Sequence, residues 1–278
     1  MNRLPGKPTG EGIAGAMFAR RMRAELVRLH REQPAYLVAA ITLFVGAACL
    51  RALVELVEKL SPQGGLGRLD QWAVGHLRVV DNSPMLEALV ATTRLGDVWA
   101  LVGVVAAGCM LLLVARRRLE AIILAGDFGL AAISVFAMKV MVHRDRPDAA
   151  LHYVPVSTPA FPSGHAALAL VAYLLLAYLA ARALRNSRWR VGIVSAGVAL
   201  GIVIAASRLL LGVHWLSDVL GGCALAGAWV SLGVAALDIG RHLRPAPLLN
   251  PEQRRRVRWT AIGLLPLVTG LLALYALA

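Results

Sequence analysis

Residues 119–141 read LEAIILAGDFGLAAISVFAMKVM, and the chain then continues Val142-His143-Arg144-Asp145-Arg146-Pro147. A bilayer core takes about 20 apolar residues of helix to cross, and this run is long enough. Its charges are few: Glu120 near the start, Asp127 inside, and Lys139 near the end. An apolar span that ends in a lysine and a basic turn therefore sets the frame for the rest of the chain. Six further runs of the same kind lie near 36–57, 98–115, 164–183, 191–211, 216–237 and 259–277. The chain is 58% hydrophobic and 16% charged over 278 residues, a balance that fits membrane spans better than a soluble core. The sequence predicts an all-α polytopic transmembrane bundle, with a six-span core and a seventh C-terminal span.

The division that follows is a basic N-terminal segment at 1–35, a membrane core at 36–237, a basic linker at 238–258 and an added span at 259–278. Residues 1–35 are polar and basic, so they are not expected to be a signal peptide. Within the core, 58–97 is the one long connection. Pro62 and Gly64-Gly65 break it. Leu69, Trp72, Ala73, His76, Leu77 and Val80 then recur at helical spacing. Ser83-Pro84 reads as an N-cap and a first helical residue. Two short amphipathic helices at about 66–95 are expected along the membrane surface, either covering the bundle or shaping a way in for a lipid.

The formal charge of +13 is a matter of topology rather than of nucleic acid binding. Of the 29 Lys and Arg residues, 20 fall in 1–35, 116–118, 182–190 and 241–258, an alternating set of loops. Positive loops resist translocation, so this side is expected to be cytoplasmic, with the N-terminus. Arg51 lies within the first span. The remaining eight are on the other side, and half of them (Lys139, Arg144, Arg146 and Arg208) lie close together in sequence with the polar motifs. Charge placed against the topological bias needs a reason, and an anion-binding site supplies one. Cys49, Cys109 and Cys223 all sit in apolar stretches with no metal-binding spacing, and no metal or cofactor is expected.

Three motifs end up on that outer side: Lys139-x6-Arg146-Pro147, Pro162-Ser163-Gly164-His165, and Ser207-Arg208-x5-His214-x3-Asp218. Fixed cations stabilise the charge of a phosphoryl group, Arg by bidentate contact and Lys as a point charge. Ser163 is a good N-cap, and the helix start at Gly164 offers unpaired N–H groups to an anion. His214 and Asp218 are four residues apart and touch if a helix starts by 214. Taken singly, each motif has an ordinary reading: a snorkelling lysine, a helix cap, a structural His–Asp pair. Their order and shared side make the joint reading the stronger one.

The three motifs resemble the tripartite signature of the type-2 phosphatidic acid phosphatase family, which also includes vanadium haloperoxidases and glucose-6-phosphatase. Every fixed position is filled, over roughly residues 36–237. The seventh span departs from the simplest six-span pattern. The resemblance implies an integral membrane lipid phosphatase, with His214 as the nucleophile that becomes a phosphohistidine and Asp218 orienting it. His165 would protonate the leaving oxygen. Lys139, Arg146, Arg208, Ser163 and Gly164 would cradle the phosphate, with no metal. It implies a lipid phosphate partner in the bilayer, such as undecaprenyl diphosphate, phosphatidate, phosphatidylglycerophosphate or a lipid A phosphate. A bacterial cytoplasmic (inner) membrane with an extracytoplasmic site fits this reading.

Competing readings are an anion or lipid transporter, disfavoured because the charges gather at one edge rather than the midplane, and a silent lipid-binding relative, disfavoured because both histidines are present. Asp127 and Arg51 are expected to make structural polar contacts. His143, Arg144 and Asp145 are expected to be exposed loop residues. His30, His76, His152 and His242 show no partner pattern.

Overall fold

The computed structural model describes residues 36–61, 64–79, 84–243 and 250–277; the N-terminal segment 1–35 and Ser83 lie outside it. The described residues form α1 (Tyr36–Glu58), α2 (Gly65–Leu77), α3 (Pro84–Arg94), α4 (Val98–Val114), α5 (Arg118–Val142), α6 (Gly164–Ala183), α7 (Ser187–Leu210), α8 (Leu216–Leu243) and α9 (Pro251–Leu277), with a single 3-10 turn at Ala149–Leu151. Six of these helices are long and apolar enough to cross a membrane. The apolar run at 98–115 forms α4, which is joined to α3 at a 52° bend and makes a seventh span if the pair is counted as one.

Burial ranks the helices. In their most apolar stretches 61% of the residues of α6 are buried, whereas α9 has none fully buried. The sequence of α6 explains its place at the centre: Ala166, Ala167, Ala169 and Ala172 leave room for α7, α8, α5 and α4 to pack close around it. On α7, a Cβ at Gly201 would sit 2.5 Å from Leu170 Cδ2. On α8, a Cβ at Gly222 would sit 2.6 Å from the Ser163 carbonyl. That second contact fixes how near the start of α6 lies to the start of α8. Large apolar side chains such as Phe44, Trp99, Phe136, Met141 and Leu274 face outward around the bundle, as in a protein solvated by lipid.

At the end away from the three motifs, buried Glu120 accepts from Arg117 at 2.7 Å and from Arg241 at 2.6 Å, tying α5 to α8. Asp238 is paired there with Arg182 and accepts from Tyr178 at 2.6 Å. These charges are neutralised within one layer, on the side where the Lys/Arg count is high.

Several expectations are revised. Residues 238–243 and 251–258, read as linker, are helical, because Arg is a good helix former and a helix need not stop where the apolar run does. Asn250 and Gln253 exchange side-chain and backbone hydrogen bonds at 3.0 and 2.8 Å, a capping box that starts α9 at Pro251. Arg51 makes the structural contact expected of it, pairing with Glu55 at 2.7 Å one turn away, whereas Asp127 Oδ2 is buried without a hydrogen-bond partner among the described residues. The face that α2 turns inward is Gly67, Asp70, Ala73 and Val74, while Leu69 and Trp72 stay exposed.

Replacing Gly222 by Ala forces the Ser163 backbone away and is expected to destabilise the protein by about 1–3 kcal/mol, as overpacking does. Gly103→Ala, where an added Cβ meets nothing within 4 Å, serves as the neutral control. Thermal unfolding of both variants in one detergent measures the difference, and equal midpoints would mean the α6–α8 approach is not tight.

Candidate active site

Helix direction alone brings the motifs to one end of the bundle. α5 ends there with Lys139, α6 starts there with Gly164 and His165, α7 ends there with Arg208, and α8 starts there just after His214. His143, at φ 44°, caps α5 in the left-handed region, and its N–H bonds to the Lys139 carbonyl at 3.0 Å. The turn sends Arg144 and Arg146 back over the bundle. Lys139, Arg146, Gly164, His165, Arg208 and His214 line one cavity of about 640 Å³. Ser163 and Asp218 lie just behind it, fully buried.

His214 is held in a turn ahead of α8, not on the helix face that its spacing suggested, since α8 begins at Leu216. The contact with Asp218 is made all the same: His214 Nδ1 is 3.3 Å from Asp218 Oδ2, which also accepts from the Trp215 N–H at 2.9 Å. On the other side of the ring an Arg146 N–H lies 3.3 Å from His214 Nε2. A guanidinium only donates, so this network assigns the lone pair to Nε2 and the proton to Nδ1. Burial, and then the cations Arg146, Arg208 and Lys139, push the His214 imidazole well below its usual value of 6.5. A neutral ring with an unprotonated Nε2 facing three cations has the form of a nucleophile.

The cations are spaced by the backbone. Lys139 Nζ bonds the Pro159 carbonyl. Arg146 bonds the Val213 carbonyl at 2.6 Å and the Thr158 carbonyl at 2.7 Å. Arg208 is 4% exposed and bonds Thr93 Oγ1 at 2.7 Å, yet its Nε has no partner among the described residues. Ser163 occupies the N-cap position of α6, but its hydroxyl makes no capping bond and is likewise buried without a partner among the described residues. Two orphaned donors beside an uncapped helix start leave hydrogen-bonding capacity that an anion would take up.

Sequence reasoning missed part of the surroundings. Arg144 is not an exposed loop residue, although His143 and Asp145 are exposed. Its guanidinium bonds Asp218 Oδ1 at 2.6 Å and Asp70 Oδ2 at 2.8 Å, with a side chain only 15% exposed. Asp70 in turn accepts from the Ser217 N–H at 2.8 Å and hydroxyl at 2.6 Å. His165 Nε2 is 2.7 Å from Asp97 Oδ1. The available signal was weak: a lone acid on a short amphipathic helix, a lone acid at a helix break, and a second arginine in a loop that already held Arg146. Among the described residues, no group of three or more His, Cys, Asp and Glu side chains converges to hold a metal ion.

The transmembrane helical fold and the phosphatases it resembles class this chain as a hydrolase of phosphoric esters. The PAP2 superfamily profile matches residues 119–238, the stretch that contains all three motifs. Phosphatidylglycerophosphatase B of Bacillus subtilis is 30% identical over 159 residues, spanning 55% of this chain and 76% of that protein. The decaprenylphosphoryl-5-phosphoribose phosphatase of Mycobacterium tuberculosis is 34% identical over 178 residues, 59% of this chain and 86% of that one. A solved transmembrane PAP2-type phosphatidylglycerolphosphate phosphatase from Bacillus subtilis superposes with a TM-score of 0.64 at 22% identity, covering 71% of this chain and 97% of that chain. This chain belongs to the PAP2 superfamily.

Two outcomes are expected from the geometry. Arg144→Ala leaves Asp218 and Asp70 buried without their cation and is expected to cost about 3–5 kcal/mol of stability, as when one partner of a buried pair is removed. The cost is read from thermal unfolding in detergent, and an unchanged midpoint would remove Arg144 from the network. At pH 6.5 an ordinary imidazole is half protonated, but the depressed His214 ring stays neutral there and takes its proton only at lower pH. Ring 15N NMR, assigned by difference from His214→Gln, checks this; a half-protonated signal at pH 6.5 would contradict the burial and cation effects.

Proposed function

We propose that this protein removes a phosphate from a membrane lipid through a phosphohistidine on His214, without a metal ion, at the extracytoplasmic face of a bacterial cytoplasmic membrane. The observation that carries the reading is the convergence on one cavity of a neutral His214, with Nε2 unprotonated, and a set of donors that includes the unpartnered Arg208 Nε.

In this reading the substrate phosphoryl group sits among Lys139, Arg146, Arg208, the Ser163 hydroxyl and the start of α6. These groups neutralise its oxygens and the charge that spreads over them in the transition state. His214 Nε2 attacks phosphorus as the bond to the leaving oxygen breaks, and His165 gives its proton to that oxygen. Asp218 holds the Nδ1 proton and stabilises the cationic phosphohistidine. Water then attacks phosphorus, gives a proton to His165, and the P–N bond breaks to release inorganic phosphate. Both histidines return to their starting states.

The cavity wall supports a lipid as substrate. Val98, Ala132, Val135 and Phe136 line it on the side of α4 and α5, and Val98 and Phe136 are themselves 51% and 70% exposed on the outside of the bundle. An opening with apolar lips between two spans lets a tail stay in the bilayer while its head group reaches the cations. The names of the relatives add a direction: one is called a phosphatidylglycerophosphatase and the other a phosphatase of a decaprenylphosphoryl phosphoribose. A terminal phosphate on a phospholipid or polyprenyl head group is therefore the favoured substrate class, with phosphatidate and undecaprenyl diphosphate as the alternatives. The Lys/Arg-rich loops lie at the other end of the bundle, which supports an extracytoplasmic site.

The test is phosphate release by purified protein in detergent with EDTA present, across phosphatidylglycerophosphate, phosphatidate, undecaprenyl diphosphate and the decaprenyl phosphoribose lipid. Release from one or two of these is expected, with loss of at least about a thousandfold in His214→Ala, the scale on which removing a nucleophile acts. Retained turnover in that variant would remove His214 as nucleophile, and silence on every lipid would favour transport or lipid binding.

A further inference from the structure

We propose that Tyr275, near the end of the C-terminal helix α9, is a positioning residue for His165 and acts through Asp97. The inference rests on the reading of His165 as the acid that protonates the leaving oxygen, and it gives the seventh span a task in catalysis.

Asp97 stands at the N-cap of α4, where an aspartate ordinarily turns its carboxylate onto the first N–H groups of its own helix. It makes no such bond here. Oδ1 is 2.7 Å from His165 Nε2, and Oδ2 accepts from the Tyr275 hydroxyl at 2.8 Å. The carboxylate is thus turned away from α4 and pinned between the imidazole and the phenol. Its side chain is 32% exposed at the bend between α3 and α4, which leaves these two hydrogen bonds to aim the carboxylate.

The placement of Tyr275 is itself held. Arg94, at the end of α3, donates to the Tyr275 and Ala276 carbonyls at 3.4 and 3.2 Å, among the last carbonyls of α9. An arginine at these carbonyls meets the negative end of the helix dipole. α9 also packs along α3 and α4, the two helices that meet at Asp97.

The chemistry follows from the pair. A carboxylate bonded to one imidazole nitrogen fixes the ring and stabilises its protonated form, the form that gives a proton to a leaving oxygen. With the Tyr275 hydroxyl on Oδ2, Oδ1 is kept aimed at His165. Without it the carboxylate is free to rotate onto α4 or into solvent. The phenol touches neither substrate nor phosphate, so its effect depends on how much the leaving oxygen needs a proton.

Two substrates with the same apolar chain separate this role from a structural one: a long-chain alkyl phosphate, whose alkoxide leaves poorly, and a nitrophenyl phosphate carrying that chain, whose phenolate leaves without a proton. kcat/KM is compared because it stops at the first irreversible step, departure of the leaving group. Tyr275→Phe keeps the ring and its packing. It is expected to lower kcat/KM for the alkyl phosphate by about 3- to 10-fold, the weight of one hydrogen bond, with the nitrophenyl substrate within about twofold of wild type. Asp97→Asn is expected to show the same selectivity with a larger loss. Equal losses on both substrates, or no loss on either, would overturn the proposal. His165→Asn separates the two levels. If it shows the leaving-group selectivity and Tyr275→Phe does not, only the role of Tyr275 fails. If His165→Asn loses both substrates equally, the acid assignment fails and this proposal with it.

Discussion

Asp218 is closed off from solvent, with both carboxylate oxygens engaged: Oδ1 by Arg144, and Oδ2 by the Trp215 N–H and His214. A buried carboxylate is costly unless its lone pairs are met, and here the donors come from two pieces of chain, the loop after α5 and the turn before α8. Trp215 fixes the turn that presents His214. Arg144 brings the loop after α5 back over the bundle. Through Asp70 the same guanidinium draws α2 onto the start of α8. One paired charge thus sets the ring orientation of His214, the path of the loop that carries Arg146, and the docking of a helix distant in sequence.

Around this anchor the protein gathers like charges. Lys139, Arg146 and Arg208 all face one cavity, and each lowers the proton affinity of His214. Bringing cations together in a partly apolar setting opposes folding, and backbone carbonyls of the 158–159 segment and Val213 partly offset it. The tension suits a site for a dianion, because a bound phosphate relieves the repulsion that the empty site carries. It also explains why these few positive residues stand at the end of the bundle where the chain otherwise places little positive charge.

The family core and its supports come from different parts of the chain. Residues 119–238 contain every motif residue from Lys139 to Asp218. Several groups that hold those residues in place lie outside that stretch: Asp70 on α2, Thr93 on α3, Asp97 at the α3–α4 bend, and Tyr275 on α9. The short helices and the seventh span therefore do more than cover the bundle. They supply the hydrogen-bond partners behind Arg144, Arg208 and His165.

The apolar runs by themselves determined six of the spans and their order, because a bilayer leaves backbone polar groups no partner except within a helix, while the run at 98–115 crosses only when counted with α3 across its bend. Their alternating direction then put Lys139, His165, Arg208 and His214 at one end without any knowledge of packing. What the sequence could not decide was which side of each short helix turns inward. On α2 the apolar stripe suggested Leu69 and Trp72, but Asp70 is the residue that is buried, because its pairing with Arg144 outweighs the gain from burying a leucine that lipid solvates equally well. Nor could spacing reveal Asp97 and Tyr275 as neighbours, 178 residues apart. Local periodicity carries the spans, whereas pairs that meet only after the helices have packed leave no period in the chain, and they belong to the tertiary structure alone.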